Sequence, residues 1–304
     1  MSATSAPGER CATYAAVPLA GLVGKDGLPF PLYLRTASLA WVLYKPEGTL
    51  LDESHIGRLR AEGVHSLFIE DAHRSVYARR VEAELAAILL DKSIPLPRRA
   101  DVLMGVARMV ADELLQAVPS PEVVARAQKV LRCAGGLMLR EPRAFQAVRR
   151  VLRGGEGVAR HSLTVAMLAM GLSQSALCVD AATLANVGLA GLLHDVSRLD
   201  AAQPPLEEDE HAAQSADLLA QWGLPSLVVG AVRHHHHEPG ALPDGVPADV
   251  GDAAAVIGLV DVFEEVYSEQ ADRAGVFDAL RVLAQAHRGR FDGRLAPALV
   301  RMFC

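Results

Sequence analysis

The sequence predicts a mainly α-helical protein, with a small α/β module at residues 1–95 followed by an all-α bundle at residues 96–304. Three observations carry this expectation. Short strand-like runs are confined to the first third of the chain. A proline-marked break, KSIPLPRRA, falls at residues 92–100. Beyond it, apolar residues recur every three or four positions almost to the last residue.

In chain order, residues 1 to about 12 are small and polar and read as a frayed end. Pro31-Leu32-Tyr33-Leu34-Arg35 and Ala40-Trp41-Val42-Leu43-Tyr44 read as strands, with a turn at Glu47-Gly48. A helix is expected over 52–62, a strand over His65 to Glu70, and a helix over Ser75 to Leu90. In the bundle the expected helices cover about 101–117, 121–134, 143–153, 158–177, 181–195, 207–222, 225–237, 251–268, 274–287 and 293–303. Breaks are expected at Gly154-Gly155 and at Gly223-Leu224-Pro225.

With 51% hydrophobic residues the 304-residue chain can bury a sizeable core. The 30 basic and 36 acidic residues give a net charge of -6. Such a chain has no global basic field, and a nucleic-acid polymer is not the expected partner. The four cysteines, Cys11, Cys133, Cys178 and Cys304, are scattered and form no C-x-x-C pair. No segment has the layout of a signal peptide, and no run approaches the roughly 18 apolar residues of a membrane span. The expected location is cytoplasmic.

The chemistry concentrates in the histidines. Seven of the 11 are His161, His194, His211 and the run His234 to His237, all in the helical part. His161 shares a helix face with Val158, Val165, Leu168 and Leu172. His211 shares one with Ser215, Leu218 and Trp222, and His236 shares one with Val229 and Val232. A single such residue is usually a satisfied core histidine. Several converging helices carrying them argue for a metal site, because coordination together with an outer hydrogen bond satisfies both ring nitrogens.

Carboxylates accompany them. Asp195 follows His194 at the end of an apolar helix, and Asp261 interrupts the apolar run DAAAVIGLVDVF. A carboxylate on such a face is costly unless paired or coordinated. An imidazole-plus-carboxylate set suits Fe, Mn, Zn or Co. It has more ligands than one ion needs, so a carboxylate such as Asp195 can bridge two. Basic Arg140, Arg143, Arg149, Arg150, Arg153 and Arg160 precede His161, and a solvated helix face is their simpler reading.

In this order the residues resemble the HD-domain phosphohydrolases and, within them, the HD-GYP family of cyclic di-GMP phosphodiesterases. The matching strings are His161 with Ser162 and Val165, LLHDVSRL at 192–199, EHAAQSADLL at 210–219, HHE at 236–238 and LVDVFEEV at 259–266. The tail GRFDGRLAPALVRMF resembles the family's closing segment. The N-terminal module is similar to the small domain often found before such domains.

The resemblance implies an HD-type bundle with a core at about 150–304. It implies seven metal ligands, His161, His194, Asp195, His211, His236, His237 and Asp261, holding two divalent transition-metal ions, iron or manganese. His235 with His236 is the alternative pair within the run. Asp195 would bridge the ions and be the catalytic residue. Arg198 would bind substrate phosphate in place of the family's lysine. The substrate implied is a cyclic dinucleotide, cyclic di-GMP, with a signalling protein as a partner of the N-terminal module. A non-catalytic module that binds a cyclic dinucleotide or a partner protein is the rival reading, and an HD-type nucleotidase is a second.

The chain departs from the family in four places. The segment between Asp195 and His211 is about a dozen residues shorter than the family's. The usual His-Asp-x-Gly-Lys is His194-Asp195-Val196-Ser197-Arg198. The Gly-Tyr-Pro signature is replaced by PGALPDGVP at 239–247. Gly157 stands where members with a third metal carry glutamate, and Glu156 lies on another face, so a two-metal site is expected.

Overall fold

The computed structural model describes residues 13–22, 26–36, 40–64, 66–116, 119–152, 157–199, 208–238, 240–269, 275–287 and 289–303. Among the expectations above, the N-terminal end, His65, Arg153, the Gly154-Gly155 break and Glu156 lie outside these residues, as does the chain joining Leu199 to Glu208. The chain forms two compact units, residues 1–102 and 103–304.

The first unit is a small antiparallel sheet with helices. Its strands are β1 (Tyr14–Pro18), β2 (Leu32–Arg35), β3 (Trp41–Lys45) and β4 (Ser66–Glu70), in the order β1-β4-β2-β3. Helices α1 (Glu53–Ala61) and α2 (Arg74–Leu90) accompany it. Alternation sets the sheet's two faces. Val17, Leu32, Leu67 and Ile69 point into a core with Phe30, Leu51 and Ile56. Tyr14, Tyr33, Trp41 and Phe68 form an aromatic cluster through edge and stacked contacts. Strand β1 is not among the sequence expectations, because YAAVP is short and two of its five residues are alanine.

Helix α3 (Leu96–Leu114) begins five residues earlier than the sequence suggests. Pro97 sits in its first turn, where a missing N–H costs nothing, so the break is shorter than residues 92–100. The helical unit continues with α4 (Pro121–Arg140), α5 (Ala144–Leu152), α6 (Val158–Leu177), α7 (Ala181–Leu193) and α8 (Glu208–Gln221). It ends with α9 (Ser226–His234), α10 (Ala248–Glu269), α11 (Val276–Ala286) and α12 (Leu295–Arg301). Helix α4 runs through Gly135-Gly136 rather than stopping at 134.

Local signals start and stop these helices. The Ser120 hydroxyl accepts from Val123 N at the head of α4, and Asp180 accepts from Thr183 N at the head of α7. Cys178, in the left-handed region at φ 54°, ends α6. Helix α7 packs on α4, α6 and α9, while α10 packs on α6 and α9. Gly191 permits the approach of α7 to α6, since a Cβ there would lie 3.0 Å from the Ala166 Cα. Among the described residues no helix is long and apolar enough to cross a membrane.

Candidate metal centre

Four helices deliver the cluster. His161 lies one turn into α6, His194 caps the C-terminus of α7, His211 lies near the start of α8, and Asp261 lies on α10. His194, His211 and His235 are fully buried or nearly so, at 0%, 0% and 3% exposure. Burial is the cost, and each side chain meets it with specific partners.

Backbone carbonyls fix the ring states. His194 Nδ1 donates to Gly191 O at 2.9 Å, and His235 Nδ1 donates to Val232 O at 2.6 Å. A carbonyl can only accept, so each Nδ1 carries the proton and each Nε2 presents a lone pair. His161 Nδ1 meets Glu264 Oε2 at 2.5 Å, which also directs its Nε2 inward. Glu264 is itself gripped by Arg160 at 2.7 Å and by the Ser268 hydroxyl at 2.6 Å.

The inward atoms fall into two groups. In one, His161 Nε2 and His194 Nε2 are 3.4 Å apart and lie 3.1 and 3.2 Å from Asp261 Oδ1. In the other, His211 Nε2 is 3.1 Å from His236 Nε2 and 2.9 Å from Asp195 Oδ1, with His235 completing a triad of donors. Donors held at about 2.0–2.2 Å from one ion stand about 3 Å from each other, so both groups have the spacing of a coordination shell.

Asp195 joins them. Its Oδ1 faces His211, while its Oδ2 lies 3.7 Å from His194 Nε2. One unsatisfied atom sharpens the fit to metal: His235 Nε2 is buried without a hydrogen-bond partner. An orphaned acceptor of this kind is rare in a folded interior, and a cation beside it removes the cost.

Charge follows geometry. Burial opposes a proton on His161, yet Asp261 and Glu264 outweigh it and raise the ring to about 10. Burial, with His194 and His236 beside it, pushes His235 down to about 3. Burial opposes ionisation of Asp195 and Asp261, but the neighbouring histidines hold both carboxyls below the usual range.

The structure brings together His161, His194, Asp195, His211, His236 and Asp261 from the expected set. His237 is the exception: its ring packs edge-on against His234 at 4.8 Å, and its Nδ1 is buried without a partner. His235 takes the inward place instead. Helix α9 stops at His234, three residues before the expected end, so helical spacing no longer governs which rings point inward. Gly258 makes room for this turn, since a Cβ there would lie 2.0 Å from the His235 carbonyl. Glu264 was not singled out in the sequence; its place on α10 one turn after Asp261 was the available signal.

Arg198 lies on the rim, 41% exposed, with its guanidinium 3.3 Å from Asp195 Oδ2 and 2.9 Å from His211 Nδ1. Ser197, where the family has glycine, is buried. Its hydroxyl donates to His211 O at 3.0 Å, and its N–H donates to the Ser215 hydroxyl at 3.1 Å. The Ser197–Ser215 pair thus ties the Asp195-bearing turn to α8.

The comparisons agree with this geometry. An HD domain model matches residues 158–294. The chain is 24% identical over 306 aligned positions to a cyclic di-GMP phosphodiesterase of Pseudomonas aeruginosa, covering 89% of this chain and 73% of that protein. In fold it is similar to an HDG"Y"P protein of Bdellovibrio bacteriovorus. That likeness has a TM-score of 0.64 and 16% identity, and it covers 96% of this chain and 99% of that one. Together with the ordered His and Asp motifs, these likenesses show an HD domain over residues 158–294 in a chain similar to HD-GYP proteins, without the Gly-Tyr-Pro tripeptide.

Proposed function

We propose that the chain is a metal-dependent phosphodiesterase that hydrolyses a cyclic dinucleotide, cyclic di-GMP, at a two-ion site. The observation that carries this reading is Asp195, whose two oxygens face two separate groups of imidazoles. Two like-charged ions a few ångströms apart repel strongly, and an anionic ligand between them offsets that repulsion. In this reading one ion is held by His161, His194 and Asp261, the other by His211, His235 and His236, and Asp195 is common to both. Divalent transition-metal ions bound there, iron or manganese, would supply Lewis acidity toward a phosphoryl oxygen and toward water.

The chain's own residues do the rest. Glu264 fixes the His161 ring by holding Nδ1–H. The carbonyls of Gly191 and Val232 do the same for His194 and His235. Arg198 is positioned to neutralise a phosphoryl oxygen through its fork of N–H donors. In the present geometry it donates to His211 Nδ1 instead. That contact puts the His211 proton on Nε2. With an ion held at Nε2, the His211 proton would sit on Nδ1 and Arg198 would be free for the substrate. Arg198→Ala is expected to keep both ions and to weaken binding of the dinucleotide.

The deciding experiment is Asp195→Asn, which keeps the size and removes the charge. The variant is expected to stay folded, to lose at least one of two ions by elemental analysis, and to lose cyclic di-GMP turnover. Asp261→Asn is expected to lose metal less completely. Retention of two ions and wild-type turnover by Asp195→Asn would overturn the bridging role. A wild-type protein that holds two ions and binds cyclic di-GMP without cleaving it would select the signalling-module reading.

A further inference from the structure

The sheet of the first unit has two edges of different kind. Strand β1, at one edge, ends in Pro18, which cannot donate to a ladder. Strand β3, at the other, reads Trp41-Val42-Leu43-Tyr44 before its first charge at Lys45 and holds no proline. No strand among the described residues pairs with its outer side. Val42 and Leu43 are 49% and 53% exposed. Proteins commonly defend an edge with charge or proline, and an undefended edge is a template for one more strand.

The ladder decides which groups face outward. Thr36 N–H donates to Ala40 O at 2.9 Å, so the Ala40 backbone turns toward β2. Backbone direction alternates along an antiparallel strand. Val42, opposite Leu34, therefore also faces β2. Trp41 and Leu43 turn their N–H and C=O groups to the open edge. The register slips only beyond Leu43, between Leu32 and Tyr33 of β2. By their side chains, Trp41 and Leu43 share the sheet face of Tyr14, Tyr33 and Phe68, and Val42 lies on the opposite face.

We propose that β3 pairs antiparallel with β3 of a second copy of this chain, about a two-fold axis through Val42. In this register each Trp41 lies opposite Leu43 of the partner subunit, and the two exchange their outward hydrogen bonds. Val42 meets its own symmetry copy at the axis. A two-fold contact must be self-complementary. This one sets aromatic against aliphatic and valine against valine, with no like charges opposed. A second copy is favoured over a foreign strand on two grounds. The register pairs every outward backbone group of residues 41–43, and it extends the aromatic face of one sheet into the next. So short a strand makes an interface below roughly 1,200 Å², and the dimer is reversible and governed by concentration. None of this rests on the phosphodiesterase reading.

Sedimentation velocity of the full chain tests the pairing. Wild type is expected to pass from monomer to dimer as concentration rises. Val42→Lys and Val42→Glu each oppose like charges at the axis. Each is expected to stay monomeric with unchanged circular dichroism. An equimolar mixture of the two is expected to recover the dimer, which damage to the fold would not allow. Val42→Cys reads the register, since such non-hydrogen-bonded partners stand about 4.5 Å apart at Cα, within reach of a disulfide. Oxidation is expected to cross-link this variant into a dimer above the wild-type background. A wild type that is monomeric at every concentration would leave the edge to a strand of another protein and overturn the proposal. A dimer that survives Val42→Lys, or a mixture that stays monomeric, would overturn it as well.

Discussion

His161 has two ring nitrogens with different duties, and Glu264 separates them. The carboxylate, 1% exposed, accepts the hydrogen bond of Nδ1–H and leaves Nε2 facing Asp261 and His194. Outer partners of this kind commonly change metal affinity about 10–100-fold when removed. Glu264→Gln is expected to weaken one of the two ions by that order, read as metal retained against a competing chelator. The pH dependence follows. Without metal, the His161 ring in the fold titrates at about 10, above the roughly 6.5 of an unfolded histidine. Its proton therefore stabilises the metal-free fold fully below about pH 6.5, and that contribution fades as pH rises through about 10. Since the ion must displace this proton, metal affinity is expected to rise with pH over the same window. Glu264→Gln is expected to move the rise to lower pH, and an unshifted profile would remove Glu264 from this role.

At the scale of elements, the centre depends on how closely helices approach. Helix α10 passes under the His235 carbonyl at Gly258, and α7 passes over α6 at Gly191. Alanine is the better helix former by about 1 kcal/mol, so on propensity alone Gly258→Ala would stabilise. The steric term has the opposite sign and is larger. A Cβ 2.0 Å from a backbone carbonyl oxygen forces the histidine turn away from α10. Overpacking of this kind costs about 1–3 kcal/mol. Gly258→Ala is expected to lower the urea midpoint and to weaken the ion held by His211, His235 and His236 more than its neighbour. Calorimetric metal titration of the variant checks this.

At the scale of the molecule, every proposed ligand lies in the second unit, residues 103–304. The chain's two tryptophans lie one in each unit, Trp41 in β3 and Trp222 just past α8. A ligand that binds only the folded state stabilises by about 2.7 kcal/mol at 100 times its dissociation constant. Chelation is therefore expected to lower the thermal midpoint reported by Trp222 in Trp41→Phe. A smaller shift is expected for Trp41 in Trp222→Phe. Equal shifts would show that the two units unfold as one.

Sequence by itself determined most elements and the order of the site. The apolar spacing around His161 and His211 marks helices that face a core, and His194-Asp195 at the end of an apolar run marks an inward carboxylate. These are local patterns, and local geometry suffices to read them. Strand β1 escaped because its partner β4 lies some 50 residues on, and pairing rather than propensity makes it a strand. The tertiary structure alone decided which rings of four consecutive histidines turn inward. It did so because α9 ends at His234 and the following turn takes its direction from contact with α10. It also decided that Glu264 holds His161 and that Arg198 rests on His211. Each of these relations joins residues distant in sequence, and no periodicity along the chain encodes such a contact.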